Sequence, residues 1–290
     1  MKTLNYIVGA LFLMQAFAGG VFAEKVIFVH GMNLISSNEA CQDQTSCDVY
    51  WNNVPGGLDK VFVGYDGRRN PFAATSTAGG VRLLEMLNKY CRADQGQSCR
   101  IVADSLGGFT TAGTVAMYNQ SGLYNILYST QIVSAEGGSE IANLGDTAND
   151  ILKLVFGLGD SQIAAAIEQI RDAIDALVTS SARGLFNHDR NNDTIFYHVA
   201  ARKSIWIAEP FLPGEDDTLV AFHSSCGYRT TGAFNVCMGQ KIRPCSWCFL
   251  QRKKLVTPWE GHLMHPAVPN DGVDLQHSGV HNETAYQLLF

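Results

Sequence analysis

The segment Ala103-Asp104-Ser105-Leu106-Gly107-Gly108 is the sharpest chemical feature of the sequence. It lies between a short β-branched run, Arg100–Ala103, and a stretch of small residues from Leu106 to about Tyr118 that reads as a helix. A serine at such a strand-to-helix junction sits on a tight bend that lifts its hydroxyl above the sheet. Small residues two places before and after it let strand and helix pass closely; Ala103 and Gly107 hold those places, the first where glycine is more common. The backbone N–H of Leu106, at a helix start, is suited to hold an oxyanion next to Ser105. The chemistry implied is nucleophilic attack by Ser105, provided a base takes its proton.

A second chemical feature, His30-Gly31-Met32-Asn33, ends the run Lys25–Val29. A loop there can supply the other oxyanion N–H from Met32, with His30 holding the loop by hydrogen bonds rather than moving protons. An acid and a base must come from elsewhere. The acidic trio Glu215-Asp216-Asp217 lies in a turn-rich stretch, where a solvated turn is the bland alternative. Histidines near the C-terminus are His277 and His281, with His262 and His265 earlier, ahead of Pro266 and Pro269.

These groups need a scaffold. Continuous apolar runs at Lys25–Val29 and Lys60–Gly64 suit strands buried on both faces, and Arg100–Ala103, Gln131–Ser134 and Lys203–Ala208 read as further strands. Between Thr75 and Tyr90, Val81, Leu84, Met86, Leu87 and Tyr90 fall on one helical face. Alternating strands and helices predict an α/β protein with a largely parallel central sheet flanked by helices. Residues 141–185 have no strand pattern. There Asp160-Ser161 can cap a helix with apolar positions Ile163, Ile167, Ile170, Ile174 and Leu177 that stops at Gly184. This helical insertion is either an ordinary packed layer or a lid.

The 290 residues are 46% hydrophobic and 17% charged, which supports a sizeable core and excludes a disordered chain. A net charge of -6, with Arg252-Lys253-Lys254 as the only dense basic run, argues against a nucleic-acid partner. Glycine-rich nucleotide signatures are absent. Residues 1–23 read as a secretory signal peptide, with Lys2 ahead of an apolar stretch from Tyr6 to Phe22 and cleavage after Ala23. That leaves residues 24–290 as one soluble, exported domain without a transmembrane segment. Export favours disulfides among the eight cysteines, and their local spacing suggests Cys41–Cys47, Cys91–Cys99, Cys226–Cys237 and Cys245–Cys248. A zinc site from Cys245, Cys248, His262 and His265 is the rival reading, although the His-x2-His spacing is tighter than usual.

Taken together, the strand ending in His30-Gly31, the serine turn, and Ser134-Ala135-Glu136-Gly137-Gly138-Ser139-Glu140 ahead of the helical insertion resemble the α/β-hydrolases, specifically the secreted triacylglycerol lipases of bacteria. In those lipases a Gly-Ser-Glu segment leads into a helical lid. The resemblance implies an α/β-hydrolase fold with a lid-like insertion and a Ser, acid, His triad in chain order. Asp217, followed by a small residue and two aliphatics, matches the family's acid loop, with Asp216 as competitor; His277 matches its His-x-Gly-aliphatic arrangement, with His281 nearer a final helix at Glu283–Leu289. Met32 and Leu106 then become the oxyanion donors. The implied activity is ester hydrolysis through an acyl-enzyme on Ser105, on an ester or lipid substrate at a lipid–water interface. An acyltransferase or polyester depolymerase would share the same triad, and a catalytically silent binding protein is the reading from another class. The resemblance implies no cofactor beyond a structural calcium ion, for which the sequence offers no ligand set. It leaves the oligomeric state open.

Overall fold

The computed structural model describes residues 24–33, 41–51, 54, 57–156, 159–208, 211–212, 216–226, 264–266, 273–277 and 279–280. Six strands form one sheet: β1 (Lys25–Val29), β2 (Lys60–Val63), β3 (Cys99–Asp104), β4 (Ile126–Ile132), β5 (Ile195–Val199) and β6 (Met264–Pro266), in the order β2-β1-β3-β4-β5-β6. Every neighbouring pair is parallel. Parallel neighbours need crossover connections, and helices supply them.

The continuous apolar runs follow from burial on both faces. Alternate side chains of β1 join different clusters. Ile27 and Val29 pack with Val61, Val63, Ile101 and Ala103 against Leu83 and Leu87 of α2 (Gly79–Tyr90) and Val115 of α3 (Leu106–Tyr118). Val26 and Phe28 pack with Phe62, Val102 and Ile132 against Trp51, which caps α1 (Gln44–Tyr50), and Val280. Helix α3 is buried nearly all round, and its threonines are satisfied locally: Thr110 and Thr114 donate to the carbonyls of Leu106 and Thr110 at 2.9 and 2.8 Å.

Two of the expected disulfides are formed, Cys41–Cys47 and Cys91–Cys99. The first ties α1 to the chain before it. The second links the end of α2 to the start of β3. The partner of Cys226, the pair Cys245–Cys248, His262, His281, residues 1–23 and the expected helix at Glu283–Leu289 lie outside the described residues.

The strand expected at Lys203–Ala208 is not one. Its place in the sheet belongs to β5, and the 203–208 segment is loop and turn. The apolar residues that suggested a strand serve another layer: Ile205 and Ile207 pack against Ile141, Ile151, Leu152 and Leu212. The 141–185 stretch is part of the crossover between β4 and β5, built from α4 (Ala148–Phe156), α5 (Asp160–Leu177) and α6 (Thr179–Gly184). The cap of α5 is Gly159 rather than Asp160, because the Gln162 side chain folds back to accept from the Gly159 N–H at 3.1 Å. The helical run breaks at Val178, ψ 128°, before Gly184 ends α6.

Candidate active site

Ser105 stands between β3 and α3 with φ 52° and ψ −117°, a left-handed conformation that a non-glycine residue adopts only where its surroundings impose it. Its N–H donates to the Ile132 carbonyl at 2.9 Å, and its carbonyl accepts from Ala135 N–H at 3.1 Å, so β4 holds the turn from beside it. Close approach accounts for two glycines. A Cβ on Gly107 would collide with the carbonyls of Val29 and His30, and one on Gly31 would sit 2.9 Å from Ser105 Cβ. The loop after β1 is therefore pressed directly against the serine turn.

His277, from the segment following β6, reaches this turn. Its Nε2 lies 2.7 Å from Ser105 Oγ, and its Nδ1 lies 2.8 Å from Asp217 Oδ2. A neutral ring protonated on Nδ1 donates to the carboxylate and accepts from the serine hydroxyl. Asp217 is buried, and its other oxygen, Oδ1, accepts from the N–H groups of Leu219 and Val220 at 3.0 and 2.8 Å. The His277 N–H also donates to the Asp217 carbonyl at 3.1 Å. Burial pushes the His277 ring toward the neutral form, but the charge and hydrogen bond of Asp217, with the charge of Asp104, outweigh it and raise its pKa above the ordinary imidazole value. Asp216 faces elsewhere: its Oδ1 accepts from Thr218 N–H at 2.8 Å within the turn.

The turn carrying Asp217 is braced from two sides. Thr218, at φ 93°, accepts from Ile205 N–H at 3.1 Å and donates to the Lys203 carbonyl at 3.3 Å through its hydroxyl. Thus the segment expected to be a strand is a support for the acid loop. Ser139 Oγ donates to the Leu219 carbonyl at 2.5 Å. Beyond it lies a buried cluster that sequence reasoning missed. Glu140 accepts from Arg183 Nη2 at 3.0 Å and from Ser224 Oγ at 2.9 Å, and His223 Nε2 lies 2.9 Å away. Burial alone would raise the Glu140 pKa, but His223, Arg183 and Ser224 together hold it below the ordinary glutamate value. The cluster joins the Gly138-Ser139-Glu140 segment, α6 and α7 (Phe222–Cys226). No local spacing signals it, because Glu140, Arg183 and the His223-Ser224 pair are 40 to 84 residues apart.

The amides of Met32 and Leu106 have no hydrogen-bond partner among the described residues. Leu106 is the first residue of α3, where backbone N–H groups are free by geometry. Met32 packs against the cluster of Leu106 and Phe109. His30 is fully buried, its pKa lowered to about 4 by desolvation although the carbonyls of Gly31 and Tyr65 at its two nitrogens favour the charged ring, so the ring is neutral at ordinary pH. Among the described residues no group of three or more His, Cys, Asp or Glu side chains is arranged to hold a metal ion, and no helix is long and apolar enough to cross a membrane.

A parallel sheet, a strained serine between the strand and helix at its centre, and an acid and a histidine supplied by later loops describe the α/β-hydrolase fold. The chain has that fold, and its similarity in structure is to bacterial lipases. The mature form of the Bacillus licheniformis lipase BlEst2 superposes with a TM-score of 0.52 at 17% identity, covering 90% of this chain and 87% of that one. Staphylococcus hyicus lipase gives a TM-score of 0.50 at 12% identity, covering 91% and 90% of the two chains. No protein-family model and no curated protein sequence matches the chain.

Proposed function

We propose that this chain is a serine ester hydrolase of lipase or esterase type, working through an acyl-enzyme on Ser105 with His277 as base and Asp217 as the acid that orients it. The observation that carries this reading is the continuous contact from Ser105 Oγ to His277 Nε2 at 2.7 Å and from Nδ1 to Asp217 Oδ2 at 2.8 Å. As Ser105 attacks an ester carbonyl, His277 takes the hydroxyl proton, and Asp217 fixes the tautomer and stabilises the imidazolium. The carbonyl oxygen becomes an oxyanion held by the N–H groups of Met32 and Leu106. His277 returns its proton to the departing alcohol, then activates the water that releases the carboxylic acid.

The substrate we propose is an ester or lipid met outside the cytoplasm, after removal of residues 1–23. Two disulfides in the described chain and the absence of a membrane-crossing helix among the described residues support this reading. Hydrolysis of p-nitrophenyl esters, with fluorophosphonate labelling of Ser105, tests it. Ser105→Ala should lose both labelling and turnover, and Asp217→Asn should lower kcat by about 10⁴. Undiminished turnover in Ser105→Ala overturns the assignment. Product appearing as a new ester when an alcohol is added identifies acyl transfer as the preferred outcome of the same acyl-enzyme.

A further inference from the structure

Two tyrosines hold a single peptide group beside the site. Tyr65 Oη donates to the His30 carbonyl at 2.5 Å, and the N–H of Gly31, the other half of that peptide, donates to Tyr50 Oη at 3.3 Å. Tyr50 in turn donates its one hydroxyl proton to Asp104 Oδ2 at 2.6 Å. The hydrogen bonds therefore run in one direction, from the Gly31 amide to the Tyr50 hydroxyl to the Asp104 carboxylate. Asp104 is the residue before Ser105 and is 5% exposed; its Oδ1 has no partner among the described residues.

The next peptide, Gly31–Met32, is fixed from the other end. His30 Nδ1 lies 2.7 Å from the Gly31 carbonyl, and Nε2 lies 3.1 Å from the Tyr65 carbonyl. A neutral ring has one N–H, which we assign to Nδ1 because that contact is shorter. In a planar trans peptide the C=O and N–H point in opposite directions, so holding the Gly31 carbonyl sets the direction of the Met32 N–H.

Resting on the function proposed above, we propose that Tyr50 and Asp104 form a positioning relay that locks the loop after β1 onto the serine turn, so that the Met32 amide is held ready for the oxyanion. Tyr50 and Asp104 touch neither Ser105 Oγ nor the substrate carbonyl in this scheme; they act through the Gly31 backbone. The relay also connects the site to the Cys41–Cys47 disulfide, because Tyr50 ends the helix that contains Cys47. Its carboxylate has a separate consequence. Asp217 and Asp104 are the negative groups that favour a charged His277, and Asp104 itself accepts from the Tyr50 hydroxyl.

Two substitutions separate the parts. Tyr50→Phe keeps the ring against His30 and Trp51 and removes only the hydroxyl. It should lower kcat by about tenfold to a hundredfold with little change in KM, because a displaced oxyanion donor costs less than a deleted one, worth about 10²–10³. Asp104→Asn keeps an acceptor for Tyr50 and removes the charge. It should keep more activity than Tyr50→Phe and move the acid limb of the kcat/KM profile to lower pH, since a positive His277 is then less favoured. The surface variant Tyr118→Phe serves as a control, and far-UV spectra and melting curves check that each variant is folded. With the wild type labelled by a fluorophosphonate, a folded Tyr50→Phe with wild-type kcat overturns the relay, whereas the Asp104→Asn acid limb tests the charge on His277 alone. Absence of labelling in the wild type overturns the proposed function instead.

Discussion

The backbone around Ser105 is held by buried partners from the sheet and the loop after β1, whereas the crossover helices beside it meet the rest of the chain partly through exposed side chains. At the serine turn, Ile132, Ala135 and Gly31 fix the backbone, and Ser105 is 9% exposed. Helix α5 contributes small residues, Ala173 and Ala176, with Leu177, to the cluster around Leu106 and Phe109. At its outer side, Arg69 Nη1 meets Asp172 at 3.0 Å and Arg68 Nη1 donates to Gln169 at 3.1 Å. The same helix also buries Ile167 and Ile170, so its inner face is anchored by apolar packing, while the exposed ion pair at its outer side contributes about 0–1 kcal/mol. The difference is one of anchoring: the serine turn is held by backbone contacts to the sheet and to the loop after β1, whereas the outer edge of α5 is tied by exposed side chains.

The junction between the two regions is where that separation is easiest to break. Arg183 belongs to α6, yet its guanidinium donates to the Gly137 carbonyl at 2.9 Å and to Glu140 and Ser224 beside the acid loop. Without Arg183, the part-buried Glu140 keeps only His223 and Ser224, so Arg183→Met should destabilise the fold by about 1–3 kcal/mol in urea unfolding. Neutralising the other side in the double variant Glu140→Gln/Arg183→Met should recover much of the loss. Equal losses in the single and double variants would mean that the two charges are not coupled and that the junction is held by other contacts.

The sheet side should respond to acid more than the crossover does. His198 lies in β5, fully buried, and its ring nitrogens have no hydrogen-bond partner among the described residues. Desolvation lowers its pKa to about 4 despite the opposing charge of Glu136, and His30 is lowered to about 4 as well. Because both rings are depressed from 6.5, the unfolded chain binds protons first, and the stability they contribute above that value is lost as pH falls toward 4. At pH 5 each ring should cost about 2 kcal/mol relative to pH 8. Below that window Asp66 and Glu140, both held below their ordinary values, extend the loss in the same direction. Replacing His198 with Leu should remove about half of the histidine contribution. Parallel pH dependence in His198→Leu and wild type, measured by urea midpoints from pH 8 to 5, would show that this ring does not carry it.

The same contrast governs what could be read from the chain. Strand β1 and helix α3 coincide with their expected bounds, Lys25–Val29 and Leu106–Tyr118. Each is a local pattern that burial on both faces enforces. Strand β5 went unread because it places His198 in the core and Ile195 at 45% exposure, against the usual division of residue types. The turn at Asn191-Asn192-Asp193, with Asn192 and Asp193 at positive φ, was the available signal for its start. Asp216 and Asp217 differ only in the direction of adjacent side chains, which sequence alone does not record. The turn resemblance selected Asp217, and the fold brings its carboxylate to His277. Tyr50, Asp104, Glu140 and Arg183 are polar residues whose partners are distant in sequence, so no periodicity marks them.

The smallest expected effect is at the exposed edge of the crossover. Arg69 and Asp172 are 60% and 55% exposed, so a double-mutant cycle with Arg69→Ala and Asp172→Ala should give a coupling below about 1 kcal/mol. If α5 opens over the site, a tie of that size shifts the balance between its closed and open arrangements by at most about fivefold. On that reading a short ester needs no movement of α5, and a long acyl chain needs it. The layer that would move is formed by Ala173, Ala176 and Leu177 against Leu106. Cutting the tie should therefore raise turnover of long p-nitrophenyl esters by up to about fivefold and leave acetate turnover within about twofold. Equal changes for both chain lengths would overturn that reading and make α5 a fixed wall, as firmly set as the serine turn.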